Sequence, residues 1–186
     1  MPFTVYVVDH VGWLPAGSWS AQRREAVCQS AAVAFNQLTT HQSVPAQFIP
    51  FIVTASGGTP QPNEPVIHLV RDVDQSIIAA RGGNLEPGHG GNTMWIGNEM
   101  VSEVYVRLSD AQGVANLIVH ETMHNKLDAH PRRLVNDIHR FRPPGYHSYP
   151  IVPQWTPENS REMLRGLRNA IPQHYDASHG VMAPQP

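Results

Sequence analysis

Residues 120–124 read His-Glu-Thr-Met-His. Histidines four positions apart lie on one face of a helix, so both imidazoles can bind one ion, and zinc is the ion such a pair suits best. Glu121 stands beside that face, where its carboxylate reaches a water on the ion rather than the ion itself. Zinc brings the pKa of such a water down towards ~7, and the carboxylate can take its proton and later hand it to a leaving amine. Chance would place this pattern somewhere in a chain of this composition roughly 3% of the time, so the pattern outweighs coincidence. Two histidines and a glutamate are also expensive to bury in a helix unless they bind something or satisfy one another. The motif therefore predicts a catalytic Zn2+ centre with His120 and His124 as ligands and Glu121 as general base.

A catalytic zinc takes a third protein ligand and keeps one position open. His130 qualifies if the helix breaks between about Asn125 and Asp128. Pro131 favours that break, because the residue before a proline is pushed out of the helical region. Glu158 and Glu162, on a helix further along, are the alternative, although a carboxylate in a first helical turn is also explained by the macrodipole. Asp128 is a third candidate, with no turn signal to support it.

The helix that carries the motif is legible around it. Ser109 with Gln112 three positions on forms a capping box. The run DAQGVANLIVHETMHNKL is apolar around most of its circumference near Val114 to Val119, which predicts a central buried helix. Ahead of it, strands are expected at 3–9 (FTVYVVD), 46–54 (AQFIPFIVT), 66–71 (VIHLVR), 93–97 (TMWIG) and 104–108 (VYVRL). Pro50 suits an edge or a bulge. A helix capped by Ser18 or Ser20 runs to about Leu38. SGGTPQPNEP and GGNLEPGHGGN (82–92) read as loops, and the glycines of GHGGN let backbone come close to a ligand. Proline is dense from Pro131 to Pro157, which sets the chain in turns and extended pieces. An amphipathic helix, ENSREMLRGLRNAI, follows before the tail SHGVMAPQP. This order predicts an α+β domain in which a mixed twisted sheet packs on two helices.

The run HETMHNKLDAH resembles the metzincin zinc peptidases, whose signature is H-E-x-x-H-x-x-G-x-x-H followed by a tight turn containing methionine. The resemblance implies His120, His124 and His130 as ligands, Glu121 as base, and Met182 of HGVMAP beneath the ion. It also implies a single domain over residues 1–186. Its zincin-like upper part would span about 1–128, and a small irregular C-terminal part about 129–186. TMWIG or VYVRL would then be the edge strand that pairs with an extended peptide substrate. Leu127 stands where the family has its glycine, and Met182 lies close to the end of the chain. A glutamate ligand, Glu158 or Glu162, would instead resemble the thermolysin-like zincins.

Tyr146, Tyr149 and Tyr175 are candidates for a phenol that stabilises an oxyanion. Packing on prolines is the plainer expectation for each. His139, His147, His174 and His179 are expected at the surface, and Met94, Met100 and Met123 in the core. Cys28, the one cysteine, is expected to be an inert buried thiol.

Hydrophobic residues make up 41% and charged residues 15% of the 186, with a net charge of -2. That balance excludes a phosphate-binding basic surface and an intrinsically disordered chain, so nucleic acid is not an expected partner. No apolar run approaches the ~20 residues of a membrane span, and MPFTVYVVDH carries no basic, leader-like start. The expectation is a soluble protein, cytoplasmic at synthesis, acting on a protein or peptide substrate. An unrestrained peptidase endangers its own cytoplasm, which points to an effector or toxin module exported by a non-classical route. The rival expectations are a zinc amidase acting on cell-wall peptides and a binding module with a structural metal.

Overall fold

The computed structural model describes residues 3–10, 25–33, 35, 46–51, 60–85, 90–107, 111–127 and 157–175. Alternating β-branched residues form β1 (Phe3–Asp9), β2 (Ala46–Phe51) and β3 (Val66–Val70). A hairpin supplies β4 (Gly91–Ile96) and β5 (Glu99–Tyr105). The five strands make one sheet in the order β2-β1-β3-β5-β4. β2, β1, β3 and β5 run parallel, and β4 is antiparallel to β5. The sheet is thus mixed, as expected. Pro50 lies in β2, an outermost strand among the described residues, where a missing N–H costs least.

Two strand starts differ from expectation. β5 begins at Glu99, well before Val104, because Ile96 pairs with Glu99 across a two-residue turn at Gly97 and Asn98. Gly97 has a φ of 64°, the left-handed value that such hairpin turns require. Ser102 and Glu103 hid the strand, since a strand covered on both faces does not alternate in polarity. β4 likewise begins at Gly91, inside the stretch read as a loop.

Residues 25–33 and 35 are helical and constitute α1. Its Val27, Ala31 and Phe35 recur every fourth position and are buried with Val5, Val7, Ile67, Leu69 and Val104 of the sheet. The same core takes Val114, Leu117, Ile118 and Met123 of α3 (Ala111–Leu127). Both helices therefore cover one face of the sheet. Cys28 is half-buried beside this core, and Met100 and Met123 are buried. The ends of α1 near Ser18, Ser20 and Leu38, the Ser109 cap, the proline-dense stretch 131–156 and the tail 176–186 lie outside the described residues.

A short helix, α2 (Ile77–Ala80), preceded by a 3-10 turn at Val73–Gln75, covers the other face near β4 and β5. Its start is organised by Glu103, fully buried on β5. That carboxylate accepts the Ser76 and Tyr105 hydroxyl protons and the backbone N–H of Ile77 at 2.8 Å. Residues 171–175 lie beside the start of β5, with Met100 N–H donating to Pro172 O and His174 N–H to Met100 O.

The last helix, α4 (Pro157–Gly166), stops short of the expected end at Ile171. After it the chain unwinds into turns that aim the Asn169 carbonyl inward. That carbonyl and the one of Asn63 accept from Lys126 Nζ at 2.7 and 3.0 Å. Lys126 is the chain's single lysine and is completely buried. Burial lowers its ammonium to about 8.

His68 is the one polar residue of buried β3, at its middle. Its Nε2 lies 3.0 Å from the His174 carbonyl, which can only accept, so Nε2 carries the proton. Nδ1 then accepts from His10 Nε2 at 2.8 Å. His174 is also buried, correcting the surface expectation, and its Nδ1 lies 3.0 Å from Glu99 Oε2. Burial first, then the charges of His10 and His174, hold His68 well below its ordinary value. The unfolded chain therefore takes up a proton that the folded one refuses. The stability from neutral His68 is complete above about pH 6.5 and lost as pH falls below it, by up to about 1.4 kcal/mol per pH unit. Urea denaturation between pH 7.5 and 5 should show this loss in the wild type and a shallower one in His68→Gln. Equal slopes would exclude the assignment.

Candidate metal centre and catalytic base

The apolar run Val114 to Val119 forces α3 under the sheet, and this burial sets the motif that follows. His120 and His124 emerge half-buried on a common face one turn apart. Their Nε2 atoms converge to 3.0 Å, with the rings edge to face and their centroids 4.6 Å apart. Two nitrogens bound tetrahedrally to zinc at ~2.05 Å lie about 3.3 Å apart, so the pair fits a shared ion with little movement. Without an ion, the same contact is an N–H···N hydrogen bond between one protonated and one bare Nε2.

Glu121 lies under the hairpin. It is buried, and Oε2 accepts the Thr93 hydroxyl of β4 at 2.7 Å. Gly91 of the same strand lies against it: a Cβ there would stand 2.7 Å from Glu121 Oε1 and 2.7 Å from the Glu103 carbonyl oxygen. Only a residue without a side chain lets β4 cross the carboxylate at this distance. Burial pushes Glu121 up to about 8, against the pull of the Thr93 hydroxyl, and the charge of Glu103 adds to the rise. A carboxyl group that holds and releases a proton near neutral pH is suited to general base and acid work. A cation beside it would favour the ionised form.

β4 bounds the sheet among the described residues, whereas β5 lies between β3 and β4. Of the two strands considered for substrate pairing, the edge is therefore TMWIG, while Val104 and Tyr105 of VYVRL lie in the interior strand β5. β4 carries both Gly91 and Thr93, so the edge strand and the Glu121 carboxylate are in direct contact.

No third His, Cys, Asp or Glu joins His120 and His124 among the described residues. His130 and Asp128 lie outside those residues, as do Tyr146, Tyr149, His139, His147, His179 and Met182. Glu158 and Glu162 are on α4, described in backbone only. Tyr175 is not brought to the site. It packs with Tyr6 on Val8 and Val66, which point away from α3 because Val7 and Ile67 point towards it.

Thr93 and Gly91 are site residues that the linear pattern did not identify. The glycines of GHGGN were a weak signal for Gly91, although its close approach is to Glu121 rather than to a ligand. Nothing in the sequence pointed to Thr93. Searches against protein-family models and against curated proteins find no match for this chain.

Proposed function

We infer that the chain is a zinc-dependent peptidase, in which His120 and His124 hold the ion with His130 and Glu121 is the general base. The observation that carries this reading is the convergence of two imidazole nitrogens on α3, with the buried carboxylate of Glu121 on the same helix packed against an edge strand. Zinc held by these histidines would supply a Lewis acid and an acidified water. Glu121 would hold the proton taken from the attacking water at its carboxylate and pass it to the departing amine. Its burial beneath β4 keeps bulk water from levelling its basicity. An extended peptide pairs with the outer edge of β4 and is held in register over the base.

Elemental analysis of the untagged protein after reconstitution tests the centre directly. The wild type should hold close to one zinc per chain, and His124→Ala should hold none. His130→Ala should lose it too. Zinc retained in that variant would move the third ligand to Glu158 or Glu162. A wild type that takes up no zinc would remove the basis of the hydrolase reading.

A further inference from the structure

Glu121 is held by a chain of side-chain hydrogen bonds whose direction can be derived. Val66 N–H can only donate, and it lies 3.2 Å from Gln173 Oε1, which fixes the orientation of that amide. Gln173 Oε1 also accepts Asn125 Nδ2 at 2.7 Å, and Gln173 Nε2 donates to Asn125 Oδ1 at 2.9 Å. With both amides set, Asn125 Nδ2 must donate to Ser102 Oγ, 2.8 Å away. Ser102 Oγ and Thr93 Oγ1 are 3.0 Å apart. Each hydroxyl has one proton, and an ionised Glu121 accepts only. With Glu121 ionised, the arrangement that satisfies every group has Ser102 donating to Thr93 and Thr93 donating to Glu121 Oε2, at 2.7 Å.

From this geometry we propose that Thr93 is the positioning residue of the catalytic base. Through Ser102 and Asn125 it is locked to Gln173, and it holds one carboxylate oxygen so that the other is presented in a single orientation. The inference rests on the peptidase reading and deepens it, because it puts the control of the base on the strand that pairs with substrate. A hydroxyl proton supplied by a polarised chain is worth more to an anion than one from an isolated threonine. Asn125, next to His124 and completely buried, ties the same chain to the helix of the metal ligands.

Thr93→Val keeps the shape and strand preference of the residue and removes only the hydroxyl. Steady-state kinetics of the zinc-loaded protein on an internally quenched peptide library should show kcat reduced about 10–100-fold with KM within about twofold. Thr93→Ser should restore most of it. Zinc content should match the wild type in both variants. Crystal structures supply a readout independent of turnover: the Glu121 carboxylate should leave its place in Thr93→Val and keep it in Thr93→Ser. A carboxylate that stays in place in Thr93→Val overturns the assignment to Thr93, as does an unchanged kcat or a loss confined to KM. A zinc-loaded wild type that cleaves no peptide in the library overturns the peptidase reading instead. The carboxylate positions would still decide whether Thr93 holds Glu121.

Discussion

Glu121→Gln should lower kcat by about 10²–10⁴-fold while zinc content and fold are retained, because proton transfer by a placed side chain contributes that much. Glutamine has the same shape, and its amide oxygen can still accept the Thr93 hydroxyl that Oε2 accepts at 2.7 Å. What it lacks is a lone pair basic enough to take a proton from water. KM should change little, since Glu121 lies beneath β4 and the proposed substrate contacts are at the edge of that strand. The metal-free proteins should differ in a second way. Glu121 is raised by burial from 4.5 in the unfolded chain to about 8 in the folded one, so folding is favoured by its protonated form. That stability is fully present below about pH 4.5 and is lost as pH rises through 8, a slope that the glutamine variant lacks. Urea denaturation of the zinc-free proteins at pH 5 and pH 8 would show it. Wild-type turnover in the variant would mean that Glu121 is not the base.

Lys126→Met should cost about 2–4 kcal/mol of stability at pH 7, read from urea denaturation at matched slope. Methionine fills most of the volume of the lysine stem, so the loss measures the polar head. Its removal takes the donor from the carbonyls of Asn63 and Asn169, which accept from Nζ at 3.0 and 2.7 Å. The buried amine is well matched to its task even when neutral, because two N–H bonds serve two carbonyls. With Lys126 lowered from 10.5 to about 8, the unfolded chain binds the extra proton between those values. Wild-type stability should therefore rise relative to the methionine variant as pH goes from 8 to 10.5. A variant within about 0.5 kcal/mol of the wild type would show that α4 is held to α3 by other contacts.

Local pattern was sufficient where one physical demand dominated. The β-branched runs of β1 and β3 and the apolar circumference of α3 have few ways to satisfy their burial, so each formed where the pattern required. The pattern misled where a second demand intervened. Ser102 and Glu103 broke the apparent strand, yet β5 passes through them because both hydroxyl and carboxylate find partners on neighbouring elements. α4 stopped early because the carbonyl of Asn169 is used by Lys126, a contact between residues far apart in the chain.

The same division holds at the site. The spacing of His120, Glu121 and His124 determined by itself that two imidazoles share a helix face with a carboxylate beside them, since helix geometry is a local property. Which strand is the edge, why Gly91 must lack a side chain and which hydroxyl holds Glu121 were decided only by the tertiary structure. Each of those depends on bringing β4 and α3 together through a sheet order, β2-β1-β3-β5-β4, that does not follow the chain. Side-chain hydrogen bonds such as that of Thr93 to Glu121 form only when packing has fixed both partners within about 3 Å, and no periodicity in the sequence encodes that distance.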